Sequence, residues 1–138
     1  MKSINPYLIF NGNAEEAFSY YQSVFGGKLT LIRFRDMPDS DKMSGDDQNK
    51  VAHASLPIAD GHQKLMASDS TSGNEVEIPP NGNFYITVAP ENADQAEEIY
   101  QKLSQDGQVI MPLQNTSWAK QFAMFSDKFG VRWMIDYE

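Results

Sequence analysis

Two short stretches constrain this chain more than any other feature: "NAEEA" beginning at Asn13 and "NADQA" beginning at Asn92, 79 residues apart. In each, an asparagine suited to a helix N-cap is followed by apolar residues at helical spacing. In the first copy the stripe is Ala14, Ala17, Phe18, Tyr21, Val24 and Phe25, and Gly26 and Gly27 supply a left-handed stop. In the second it is Ala93, Ala96, Ile99, Tyr100 and Leu103, ended by Gly107. Asn13 with Glu16 reads as a capping box. A lone strand–helix unit buries too little apolar surface to be stable, so each copy requires more sheet to pack against.

That sheet is legible around both helices. "PYLIF" and "FYITV" precede them, and "KLTLIRF" and "QVIMPLQ" follow. "VAHASLPI", a turn at Asp60-Gly61 and "KLMASD" complete the first half; "AKQFAMFS", a turn ending at Gly130 and "VRWMID" complete the second. Each half is therefore strand, helix and three strands, an α+β pattern of two βαβββ modules. The expected modules are residues 1–72 and 83–138 of one structural domain, joined by a linker at 73–82. The helix-to-last-strand spacing differs, 53 residues from Asn13 to Met66 against 42 from Asn92 to Met134. The excess falls in the Asp-rich segment 36–50, which has the composition of a solvated loop and no EF-hand spacing.

Composition narrows the function classes. A net charge of −8 argues against nucleic acid, whose phosphates require a cationic face, and against anionic membrane surfaces. The absence of cysteine removes disulfides, thiolate metal ligands and a cysteine nucleophile. No apolar run reaches the length of a membrane span, and "MKSINPYL" has no signal-peptide h-region, so a cytoplasmic protein is expected. No G-x-S-x-G elbow is present, nor a G-x-G-x-x-G loop between a strand and a helix to hold a nucleotide-like cofactor, and no cofactor is expected.

The stretches "PYLIFNGNAEEAFSYYQSVFGG", "KVAHASLPI", "KLMASDS", "GNFYITV" and "MPLQNTSWAKQFAMFSDKFGVRWMID" together resemble the vicinal oxygen chelate superfamily of glyoxalases, bleomycin-resistance proteins and extradiol dioxygenases. They look most like its PhnB-like branch, some members of which carry a demethylubiquinone methyltransferase label. The resemblance implies sheets curled around a cleft with helices outside, and a homodimer. It also implies metal ligands on the first and fourth strand of each module, near Pro6, Met66, Asn83 and Met134. None is a histidine or carboxylate, so no ordinary zinc, nickel or iron site is expected.

Period-two alternation supplies the candidate site residues. In "VAHASLPI", Ala52, Ala54, Leu56 and Ile58 share one face, leaving His53 and Ser55 on the face the resemblance assigns to the cleft. His53 is the candidate general base or ligand contact, because an imidazole titrates near neutrality; a hydrogen-bonded sheet-surface histidine is the plain alternative. His62, beside the Asp60-Gly61 turn, reads as an exposed residue. Tyr85 and Thr87 alternate with Phe84, Ile86 and Val88, which puts Tyr85 towards the cleft as an aromatic wall. Met66 and Met134 read as core filling or as an adaptable cleft floor. Gln114 and Trp118 flank a polar turn with the character of a lid. Arg33 and Arg132 are the cationic candidates for an anionic ligand; the plain alternative for each is to line a strand edge or pair with nearby acids, for example Asp36 or Asp136. Two functions follow: a metal-independent binder of a small organic molecule, or a lyase, isomerase or transferase acting on a small metabolite with His53 as base.

Overall fold

Hydrophobic alternation in the strands and the apolar stripe of each helix meet in two four-stranded mixed sheets, each with one long helix packed on one face. The structure is a computed structural model that describes residues 1–77 and 83–138. The remainder of the expected linker, residues 78–82, lies outside the described residues. The fold class is α+β, with two repeated βαβββ modules.

The first module contains β1 (Tyr7–Phe10), α1 (Ala14–Phe25), β2 (Thr30–Arg33), α2 (Gly45–Asn49), β3 (Val51–Ile58) and β4 (Gln63–Asp69). Its strand order is β1-β4-β3-β2, with β1 parallel to β4 and the other pairs antiparallel. Ala14, Ala17, Phe18 and Tyr21 of α1 are fully buried, as are Ala54, Leu56, Leu65 and Ala67 of the sheet. Phe10 and Phe18 meet edge to face at 6.2 Å, and Phe18 and Tyr21 at 5.5 Å. Such pairs add to the area buried by each ring.

Asn13 does not cap α1: its side chain makes no capping hydrogen bond. Buried Asp69, at the end of β4, accepts instead from the Gly12 and Ala14 amides at 3.0 and 2.9 Å and from the Val51 amide at 2.9 Å. A long-range carboxylate displaces the local cap because it satisfies donors of the helix and of β3 together.

The Asp-rich segment is more ordered than a solvated loop. It contains 3-10 turns at Phe34–Asp36 and Ser40–Lys42, followed by α2, whose cap Ser44 accepts from the Asp47 amide. Asp47 is buried and receives the Lys50 ammonium at 2.9 Å, together with the amide and hydroxyl of Ser72. The charge pattern concealed this because one aspartate among several acquires partners only when the chain after β4 returns beside it.

The second module contains β5 (Ile86–Val88), α3 (Ala93–Leu103), β6 (Gln108–Gln114), β7 (Gln121–Ser126) and β8 (Arg132–Tyr137), in the order β5-β8-β7-β6. Here β5 runs parallel to β8. Asn92 does cap α3, accepting from the Gln95 amide at 2.8 Å, while the Gln95 side chain accepts from the Glu91 amide at 2.7 Å. Ala96, Ile99 and Leu103 face buried Ala123, Phe125, Trp133 and Ile135. The repeat extends to glycine use. A Cβ on Gly27 would lie 2.6 Å from the Pro57 carbonyl oxygen, and one on Gly107 would overlap the Ser126 carbonyl oxygen. Each glycine lets the turn after its helix pass close to the third strand of its own module. Among the described residues, no helix is long and apolar enough to cross a membrane.

Candidate functional site

In each module the sheet face turned away from the long helix holds strand residues singled out as candidates, His53 and Met66 in the first and Met134 in the second. On β3, Ala54 and Leu56 are fully buried, whereas His53 and Ser55 are half-buried on the opposite face. Register aligns Tyr7 with Met66, Met66 with Ser55, and Ser55 with Thr30, so these four form one row across the open face. The adjacent row contains Ile9, Ser68, His53 and Ile32. Tyr7 spans the two rows: its hydroxyl lies 3.4 Å from His53 Nδ1, with ring centroids 5.9 Å apart. In the neutral imidazole one nitrogen donates and the other accepts, so this contact couples the phenol to the ring's tautomer. Tyr7, Ile9 and Ile32 are exposed at 46%, 40% and 38%, which makes the face apolar around one imidazole.

The second module repeats the arrangement with different side chains. Thr87, Met134, Met124 and Met111 form one row, and the Thr87 hydroxyl approaches the Met134 sulfur at 3.9 Å. The next row places Gln114 opposite Phe122, and Phe122 opposite Asp136. Trp118, in the β6–β7 turn, meets Phe122 edge to face at 5.3 Å and remains 56% exposed. Gln114 and Trp118 thus converge on Phe122, a residue that sequence reading passed over. Its parity in "QFAMFS" matched Met124 and Ser126, but burial by a turn tryptophan leaves no mark on alternation.

Other expectations require correction. Phe84 is exposed rather than turned to the helix, because β5 begins only at Ile86. Its carbonyl accepts from Arg132 Nε at 3.1 Å, and the Arg132 guanidinium lies 5.7 Å from the centroid of half-buried Tyr85. Arg132 therefore turns to a ring and a carbonyl, not to Asp136. Arg33 pairs with Glu15 through both carboxylate oxygens at 2.9 Å, not with Asp36. The Asp136 Oδ1 atom is shielded from solvent and has no hydrogen-bond partner among the described residues. His62 is exposed in the β3–β4 turn, where its amide donates to Asp60.

Register also moves the first-strand metal positions. Tyr7, not Pro6, is level with Met66, and Thr87, not Asn83, is level with Met134. Each module offers a thioether and a hydroxyl there, a poor donor set for hard or borderline divalent ions. Among the described residues, no three histidine, aspartate or glutamate side chains are grouped to hold a metal. The superfamily's ligand positions therefore do not fit a divalent metal in this chain.

His53 and Met66 belong to the first module; Tyr85, Gln114, Trp118 and Met134 belong to the second. Comparison with known proteins identifies the family of the chain. The model of the 3-demethylubiquinone-9 3-methyltransferase family matches residues 2–136. Protein YjdN of Escherichia coli is 30% identical over 142 residues, covering 96% of this chain and 93% of YjdN. The crystal structure of PA1353 from Pseudomonas aeruginosa superposes with a TM-score of 0.85 at 38% identity, covering 99% of this chain and 97% of that one. The PhnB protein from Bacillus cereus gives a TM-score of 0.72 at 27% identity, with 99% of both chains covered. Solved glyoxylase/bleomycin resistance/dioxygenase and fosfomycin resistance proteins share the fold at much lower identity. The chain belongs to the 3-demethylubiquinone-9 3-methyltransferase family, the PhnB-like branch of the vicinal oxygen chelate superfamily.

Proposed function

We propose that this protein binds a small organic molecule on the open faces of its sheets, without the divalent metal used elsewhere in the superfamily. One observation carries the reading. Where the superfamily places ligands, register aligns Tyr7 with Met66 and Thr87 with Met134; exposed Tyr7, Ile9 and Ile32 surround the first pair, and two further methionines, Met124 and Met111, continue the row of the second. Methionine and aromatic walls adapt to organic ligands, and a thioether with a hydroxyl is a poor donor set for a divalent zinc, nickel or iron ion. His53, Met66, Tyr85, Gln114, Trp118 and Met134 are the proposed contacts. A metabolite library screened by thermal shift tests the reading, because a ligand at a hundred times its Kd stabilises the folded state by about 2.7 kcal/mol. Elemental analysis finding about one zinc, nickel or iron per chain would overturn the metal-free part.

The Tyr7–His53 contact supports a second reading, an enzyme of lyase, isomerase or transferase type with His53 as general base. The family's description points to methyl transfer, whereas the chain has no glycine-rich loop for a nucleotide-like cofactor. Turnover of a bound metabolite, abolished in His53→Gln, selects the enzyme; stoichiometric binding without turnover selects the binder. We further take the protein to act in the cytoplasm as a homodimer, since C2 pairing is the commonest way to cover exposed apolar sheet surface. Sedimentation at micromolar concentration showing monomer alone would remove the dimer, and cell fractionation tests the compartment.

A further inference from the structure

We propose that the second module binds an organic cation, a ligand whose ammonium or quaternary nitrogen rests between the Trp118–Phe122 pair and the Asp136 carboxylate. This rests on the small-molecule reading above and names the chemical class of the ligand.

The argument begins with Asp136. It projects from β8 on the open face, directly opposite Phe122 of β7. Its Oδ1 atom is withdrawn from solvent and receives no hydrogen bond among the described residues. The ion pairs of the described residues use Glu15, Asp39, Asp47 and Glu98, and none uses Asp136. The neighbouring cations are turned elsewhere: Arg132 lies over Tyr85, and Lys120 lies 5.2 Å from the centroid of Tyr137. A carboxylate oxygen shielded from water and without a donor is costly, and persists where a partner arrives from outside.

The surroundings state what that partner is. Cross-strand partners hold their Cβ atoms about 4.5–5.5 Å apart, so the Phe122 ring starts beside the carboxylate. Trp118 meets that ring at an interplanar angle of 75° and stays 56% exposed, which leaves indole surface for a ligand. Aromatic faces carry a negative quadrupole and attract cationic nitrogen, most strongly at tryptophan. Beside Asp136, towards β5, a recess of about 380 Å³ is lined by Thr87, Ala89, Pro90, Asp136, Tyr137 and Glu138. Its volume lies near the lower end for small-molecule sites. Its charged side chains, Asp136 and Glu138, are both acidic. An anionic ligand meets repulsion there, and a neutral one can donate a hydrogen bond to Asp136 but supplies no counter-charge. A cation in the recess supplies the counter-charge to Asp136, with the exposed indole of Trp118, seated on buried Phe122, as the aromatic surface nearby.

Choline serves as the probe, with 3,3-dimethylbutanol as its uncharged isostere. The readout is the Trp118 indole N–H resonance in the full-length protein. Buried Trp133, whose indole donates to Asp127 at 2.9 Å, supplies an internal reference. Choline is expected to shift Trp118 saturably, and the isostere to bind about tenfold more weakly or worse. Asp136→Asn is expected to remove that preference, and Trp118→Leu to weaken choline binding. If Asp136→Asn does not fold, salt supplies the second measurement: added salt should weaken choline binding and leave the isostere unaffected. Equal affinity for both probes, or no Trp118 response to choline, overturns the inference. If choline is silent while the metabolite screen yields a neutral or anionic ligand, the cation class falls and the small-molecule reading stands. If both experiments are silent, both fall.

Discussion

The Asp69 carboxylate accepts the Ala14 amide at 2.9 Å, joining the end of β4 to the first residue of α1 across 55 positions of sequence. The same carboxylate holds the Gly12 and Val51 amides. Removing it in Asp69→Ala strands three backbone donors, two of them in buried hydrogen bonds, and is expected to cost about 2–4 kcal/mol. Asn92→Ala removes only a local cap and is expected to cost about 1 kcal/mol. Urea unfolding of both variants checks the contrast; equal losses would show that Asp69 is no more than an ordinary cap.

Asp47 and Lys50 predict a pH window for the docking of the Asp-rich segment. The hydrogen bond from Lys50 holds the Asp47 carboxyl below its ordinary value against the opposing effect of burial, and the Ser72 donors add to it. The hydrogen bond to Asp47 raises Lys50 above its ordinary value. A depressed carboxylate contributes its stability above the unfolded value near about 4, and loses it as pH falls through the folded value. A raised lysine contributes below about 10.4 and loses its share as pH rises through its folded value. The Ser72 amide, which donates to Asp47, is expected to lose exchange protection at both extremes. Asp47→Asn should abolish the acid limb; an unchanged acid limb in that variant would refute the assignment.

Tyr7 and His53 make a coupled pair. Tyr7→Phe removes a single half-exposed hydrogen bond, so stability should change by no more than about 1 kcal/mol. The ring nitrogens of His53 should nevertheless respond, because the phenol lies 3.4 Å from Nδ1. Long-range nitrogen–proton NMR of the imidazole reads this directly. Identical His53 spectra in the two proteins would mean that the contact has no hydrogen-bonded character in solution.

Once a ligand is in hand, the proposed contacts make their own prediction. Tyr85→Ala and Trp118→Ala are expected to weaken binding by roughly 1–3 kcal/mol each. His53→Gln should leave the thermal transition nearly unchanged, since His53 is half-buried and lies opposite the α1-packed residues. Calorimetric titration of the three variants decides. Unaltered affinity in all three would remove these residues from the site.

The two-module architecture was written in the sequence because it depends on local order. Helical spacing after Asn13 and Asn92, glycines at the helix ends and period-two strands are properties of neighbouring residues, and each sheet closes on its own helix. The half-burial of His53 opposite Ala54 and Leu56 follows the same logic, since one face of β3 must meet α1. Tertiary structure decided which side chains answer one another. Asn13 looked like a cap until Asp69 arrived from β4, and one acid of the Asp-rich segment became a buried anchor only through Ser72. Strand pairing put Tyr7 and Thr87, one residue beyond Pro6 and four beyond Asn83, level with the methionines. Phe122 and Asp136 acquired meaning only when register set them opposite each other and a turn brought Trp118 onto the phenyl ring. Such pairings depend on register and chain return, and periodicity within a single strand carries no information about either.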